Sequence, residues 1–243
     1  MNRNYETIAA ELDGWTQLLT YVVPLPTKLT SGKKYRFTYV EKSREQAILL
    51  RMTRIVSTLH AMHLLNSRGY FQEQAALQRM HDEYTEDVEF LAQCAKVNGQ
   101  VTDLEKQYLA GFFDDQLTWE WDSSKKLKGR NMPNRDKIRN FLVKSLEGQV
   151  NQSIAINAGA AVSHGYSAFV HGYAAPTMEM YVPDPPHFRT SGMLGSSAQI
   201  DHDRDLQNYV LRTVQAFVMA SATLNVKEVF DSSFSIFREI NGA

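Results

Sequence analysis

Two long runs of apolar residues at helical spacing, separated by one short join, limit the fold of this chain more than any other feature. Ser43 with Gln46 three positions on has the form of a capping box, and Leu49, Met52, Val56, Leu59 and His63 follow until Arg68-Gly69. A second run, Leu77, Met80, Tyr84, Val88, Leu91 and Ala95, ends at Asn98-Gly99. Each run carries an apolar stripe that must be buried against another element, and the short join predicts an antiparallel helical hairpin.

The remaining punctuation extends the helical pattern. Ile8, Leu12, Trp15, Leu18 and Leu19 predict a first helix over 5–22, ended by Pro24. Between Thr27 and Tyr39 a Ser31-Gly32 turn signal precedes alternating Tyr35, Phe37 and Tyr39, an extended segment too short and isolated to imply a sheet. Thr102 with Glu105 repeats the capping-box form and opens a helix through about Leu117, before a polar loop beginning at Trp119 and Trp121. Asn134 is placed to cap a helix containing Ile138, Phe141, Leu142 and Leu146. Pro183, Pro185 and Pro186 break the chain, Gly192 to Ser197 reads as a flexible loop, and two last helices are expected near 203–223 and 226–239.

There are no repeats and no low-complexity linker. At 243 residues and 43% hydrophobic, the chain can bury a core of ordinary size. The expectation is an all-α helical bundle in a single domain over 1–243, with the bundle core in 44–225 and an N-terminal helix and loop in 1–43.

A formal net charge of -1 gives no global attraction to nucleic acid or to an anionic membrane, so such binding must come from a local patch. Lys125, Lys126, Lys128 and Arg130, continued by Arg135, Lys137 and Arg139 and preceded by Trp119 and Trp121, are the concentrated positive charge. They are candidate nucleic-acid contacts, with a solvated basic loop as the alternative. The single Cys94 cannot form an intrachain disulfide, and the first residues lack the apolar block of a secretory signal, so a cytoplasmic location is expected.

Gly148 to Met178 contains no Asp, Glu, Lys or Arg. Its two His and four Asn or Gln make it a poor membrane span, so no membrane partner is expected, and the lack of charge predicts a buried helix. On that helix Ser153, Asn157, Ala160, His164, Ser167 and His171 fall on one stripe. His164 and His171 project from one face with Ser167 between them, where they could move protons in acid/base cleavage of RNA or bind phosphate. The structural alternative is a pair of hydrogen-bonded core histidines.

Arg79 and Glu83 lie one turn apart at the margin of an apolar stripe, in the locally less favourable order, which points to contacts with another helix or to a structural salt bridge. His60, His63, His81, Asp82, Glu86 and Asp87 could supply metal ligands, but the Glu-x-x-His pairs of di-iron bundles are absent, and neither a metal nor a cofactor is expected.

The segments Tyr166-Ser167-Ala168-Phe169-Val170-His171-Gly172 and Ala76-Leu77-Gln78-Arg79-Met80-His81-Asp82-Glu83 resemble uncharacterised bacterial helical proteins related to the HEPN superfamily, over about 44–225. The resemblance implies a HEPN-like helical fold, often dimeric, and RNA as a partner. Some members are metal-independent endoribonucleases of toxin or phage-defence systems, whose active sites pair an Arg with a His after four to six intervening residues. Before His171 the corresponding positions hold Tyr166, Gly165 and His164, so that Arg is missing. Arg54 and His60 satisfy the spacing, but roughly one such pair is expected by chance at this composition. The resemblance therefore implies a site in which His171 is the acid/base, Arg79 approaches it from a neighbouring helix to stabilise phosphate charge, and Glu83, His164 and Ser167 lie close by. The reading from a different class is a non-catalytic helical interaction protein, a dimer, in which these residues fix the packing.

Overall fold

The computed structural model describes residues 5–97, 101–114, 131–145 and 152–242, with the backbone alone for 152–159 and 163. Among these residues are nine helices and two small antiparallel ribbons. The all-α expectation holds.

Helix α2, Arg44–Ser67, starts at a full capping box: the Ser43 hydroxyl accepts from the Gln46 amide and the Gln46 side chain reaches back to the Ser43 amide. Helix α3, Phe71–Lys96, returns antiparallel beside it. The tight turn between them depends on Gly69 at φ +75°, where a Cβ would stand 2.6 Å from the Leu194 amide nitrogen. Met193 is buried and its amide donates to the Gly69 carbonyl at 2.8 Å. The 192–197 segment, expected to be a flexible loop, is thus seated on this turn.

Helices α1, Tyr5–Val22, and α8, Gln199–Leu224, pack on the α2–α3 hairpin, and α9, Lys227–Asn241, packs on α8. One apolar cluster joins Ile8, Leu12, Trp15 and Leu19 of α1 to Met52, Leu59, Val88, Leu91, Phe217, Val229 and Ile236. The core therefore runs past both ends of the 44–225 stretch expected to hold it, because α1 and α9 each bury a helical stripe in it.

Helix α4, Asp103–Phe112, begins at Thr102, whose hydroxyl accepts from the Glu105 amide. The reciprocal half of that capping box is not made, since the buried Glu105 carboxylate is taken by the Arg44 guanidinium in a two-pronged contact. The helix stops at Phe112, short of the expected Leu117. Helix α5, Arg135–Ser145, is capped by Asn134, which accepts from the Lys137 amide at 3.0 Å.

Helix α6, Gln152–Val170, lies across α3 and α5. Short helix α7, Ala174–Met178, follows. The segment expected to be merely extended near residue 30 forms a ribbon, β1 Thr27–Ser31 with β2 Lys34–Thr38, turning at Gly32. The proline-rich stretch read as a chain break forms a second, β3 Tyr181–Pro183 with β4 Pro186–Phe188. No helix among the described residues is long and apolar enough to cross a membrane.

Candidate functional site

Where its side chains are described, the charge-free helix α6 is more open than expected. Ala160, Ala161, Val162, His164 and Gly165 are exposed, as is His171 just past the helix end, while Tyr166, Ser167, Ala168 and Phe169 are half-buried. Among the described side chains of α6, those of its last turns press inward, Tyr166 and Phe169 through ring contacts with Tyr209 and His202. The Ser153 and Asn157 side chains lie outside the described residues. His171 stacks on the exposed Tyr173 ring, with centroids 5.7 Å apart at 25°. His164 and His171 are therefore accessible imidazoles rather than core histidines.

Arg79 and Glu83 are brought together with each other and not with His171. Arg79 Nη1 lies 2.6 Å from Glu83 Oε1, and both side chains are partly buried. Glu83 also faces Arg135 at 3.7 Å. Among the described residues, no hydrogen bond, ion pair or ring contact joins His171, His164 or Ser167 to this pair. The expected approach of Arg79 to His171 is not made, because α6 touches α3 while the Arg79 guanidinium is turned along its own helix to a carboxylate one turn on.

Beneath the last turns of α6, α3 and α8 enclose a polar seam. Tyr166 of α6 donates to Asp205 Oδ2 at 3.0 Å, and its ring meets that of Tyr209. Tyr209 donates to Asp82 Oδ2 at 2.9 Å, and Arg212 Nη1 stands 2.5 Å from Asp82 Oδ1. Burial first, then the carboxylates Asp205 and Asp82 respectively, push both phenols up, so both remain proton donors. Burial pushes the Asp82 carboxyl up as well, against the pull of Arg212 and the Tyr209 hydroxyl.

His81 sits at the centre of this seam, fully buried. Thr213 spends its single hydroxyl proton on the Tyr209 carbonyl, so it must accept from His81 Nε2 at 2.8 Å, which places the ring proton on Nε2. Burial, assisted by the nearby Arg212 charge, pushes His81 down to about 3, so the imidazole is neutral at physiological pH. Its Nδ1 is buried without a hydrogen-bond partner, as are both amide atoms of Gln78 one turn earlier and Nδ1 of His202. Farther along, Gln74 donates to the His202 carbonyl at 2.9 Å, and the His202 ring stacks on Phe71 at 5.0 Å.

The opposite face of α3 carries ionic contacts. Asp87, with no exposed side-chain surface, is gripped by Arg51 at 2.7 Å and Arg135 at 2.6 Å, and Arg139 Nε donates to Glu86 at 2.9 Å. Arg135 and Arg139, counted in the sequence as part of a basic patch, are thereby tied to α3 carboxylates. Lys125, Lys126, Lys128 and Arg130, with Trp119 and Trp121, lie outside the described residues.

The scattered histidines do not converge either. His60 receives the Tyr5 hydroxyl at 2.9 Å or donates to it, depending on tautomer, and faces Asp13, while His63 packs on the Tyr5 ring. Among the described residues, no three His, Cys, Asp or Glu side chains are grouped to hold a metal ion.

Sequence reasoning missed Gln78, Asp205, Tyr209, Arg212 and His202. A signal existed: Gln74, Gln78 and His81 recur at helical spacing, as do Tyr209, Arg212 and Thr213, so two polar stripes were available to face each other. Comparison with family models, with curated proteins and with solved structures finds no match to this chain.

Proposed function

We propose that the protein is an RNA-directed helical module of HEPN-like type, a metal-independent endoribonuclease of the toxin or phage-defence kind in which His171 is the acid/base. The observation that carries this reading is the exposure of His171 and His164 on a helix free of carboxylates, with Tyr173 stacked beside His171. An accessible imidazole can exchange a proton near neutral pH, and no acidic side chain of α6 repels an incoming phosphate. In such a reaction His171 takes the proton from a ribose 2′-hydroxyl as that oxygen attacks the adjacent phosphorus. The bond from phosphorus to the 5′-oxygen breaks and the leaving 5′-oxygen takes a proton from water, giving a 2′,3′-cyclic phosphate and a 5′-hydroxyl. Arg79 takes part only by leaving Glu83 for the phosphate.

A second reading is favoured by that same Arg79–Glu83 pair. With Arg79 held by its own helix, the chain serves as a non-catalytic helical interaction protein, as a homodimer. The resemblance that suggests RNA also suggests the dimer and a bacterial setting, and the single Cys94 suits a cytoplasmic one.

Titration of isotopically labelled protein with single-stranded RNA, followed through the histidine side-chain signals, separates the two. The RNA reading expects shifts at His164 and His171 and none at buried His81. Unmoved signals at His164 and His171 under saturating RNA would remove it.

A further inference from the structure

Ribbon β1–β2 is mostly exposed and has no role so far. Between Thr27 and Thr38 it carries Lys28, Lys33, Lys34 and Arg36 and no carboxylate, in a chain of net charge -1. Its register sets Lys28 opposite Phe37 and Thr30 opposite Tyr35, so Lys28, Tyr35 and Phe37 share one face. Tyr35 is 59% exposed and Phe37 60%. Their ring centroids are 5.8 Å apart, and the Lys28 ammonium lies 4.4 Å from the Tyr35 centroid. Lys34 and Arg36 belong to the other face, Lys34 exposed at the ribbon tip and Arg36 half-buried.

Two open rings add little to the stability of a two-stranded ribbon, which is marginal on its own. Rings beside ammonium groups that form no ion pair among the described residues do match what a single nucleic-acid strand presents: phosphates for the cations and an aromatic face on every unpaired base. We propose that the outer face and tip of ribbon β1–β2 are a docking surface for single-stranded RNA, with Lys28 of that face and Lys33 and Lys34 of the tip on phosphates and Tyr35 and Phe37 stacked on bases. The choice of RNA rests on the reading of function given above.

Other occupants fit less well. The ribbon tip is Ser31-Gly32-Lys33-Lys34, so entering a membrane tip-first would carry two charges in ahead of the rings, which lie on the flank. A symmetric contact with a second copy would set lysines against lysines. A duplex offers the rings no unpaired base. The ribbon precedes the start of α2, and His171 lies toward that helix's other end, beyond Phe169 and His202, which stacks on Phe71. The 24 residues of α2 span about 36 Å, so a bound strand would run along the bundle to reach the imidazoles.

The test is fluorescence anisotropy with a labelled oligouridylate over a range of salt, using the parent, Lys28→Glu/Lys33→Glu/Lys34→Glu, Tyr35→Ala/Phe37→Ala and His171→Ala. All substituted side chains except that of His171 belong to the ribbon, and circular dichroism checks that the helices persist. The lysine variant should lose at least about tenfold in affinity, and the slope of log affinity against log salt should flatten by about 2, at about 0.7 per phosphate contact. The ring variant should lose about tenfold or more with its slope kept. Parent binding that both ribbon variants retain in full would overturn the ribbon assignment and leave the RNA reading standing. A parent that binds neither RNA nor single-stranded DNA at low salt would overturn both. Binding to phosphatidylserine vesicles in place of RNA, lost in the ring variant, would reassign the ribbon to membranes.

Discussion

Helix α3 buries polar groups on two faces by opposite means. Toward α2 and α5 it uses full charges in ion pairs: Asp87 between Arg51 and Arg135, and Glu86 with Arg139 through Oε1, its Oε2 being the one buried carboxylate oxygen there without a hydrogen-bond partner among the described residues. Toward α8 it uses mostly neutral groups, Gln74, Gln78 and His81, with Asp82 paired to Arg212 and with His202 of the same seam facing Glu179 at 3.7 Å. The ionic face holds its partners by charge-assisted bonds whose loss strands a buried charge. The neutral face leaves donors and acceptors of Gln78, His81 and His202 unused, so it should tolerate apolar replacement. Burial of polarity on α3 is thus expected to be costly to disturb on one side and permissive on the other.

The largest effect should come from Asp87→Ala, which leaves Arg51 and Arg135 facing each other. A loss of about 3–5 kcal/mol is expected from urea unfolding, as for other broken buried pairs. A loss below about 1 kcal/mol would erase the contrast between the two faces.

The next should be a pH effect at His81. Its folded value, about 3, lies below the unfolded one, about 6.5, so the unfolded chain binds the extra proton and stability is lost as pH falls through that window. From pH 7.5 to pH 5 this amounts to about 2 kcal/mol. Asp82, shifted upward, works in the opposite direction at lower pH. Stability curves of the parent and of His81→Gln should therefore diverge as acid is added, and parallel curves would show that His81 is not held neutral.

Tyr209→Phe removes one bond to Asp82 while Arg212 stays, for an expected loss of about 1–2 kcal/mol by calorimetry. The smallest effect belongs to Gln78→Leu, which should stay within about 1 kcal/mol of the parent because neither amide atom has a protein partner. A loss of 2 kcal/mol or more there would mean that a buried water engages the amide, and the neutral face would be less permissive than the ionic one suggests.

The helices were legible because their stripes repeat every three or four residues and their ends carry local chemistry. Ser43 and Asn134 act through neighbours within four residues and can be read from a single chain, whereas Gly69 and Gly192 are also required by the close packing of 192–194 on the α2–α3 turn. The candidate site was less legible, for two reasons. Charge absence over 148–178 signalled burial, yet exposed small residues such as Ala160, Ala161 and Gly165 also satisfy an uncharged surface. Moreover, whether Arg79 chooses Glu83 or His171 depends on how α6 crosses α3, and helix crossing is set by tertiary packing that spacing along one chain does not encode. The seam around His81 failed to register for the same reason: its partners Tyr209 and Thr213 lie more than a hundred residues away.

The exposed imidazoles, and not the buried seam, are assigned the chemistry. The most direct measurement of that claim is incubation of purified protein with a mixed RNA pool in chelator, beside His171→Ala and His81→Gln. The account predicts cleavage by the parent and by His81→Gln but not by His171→Ala. Cleavage surviving unchanged in His171→Ala, or absent from all three, would contradict it and leave the interaction reading.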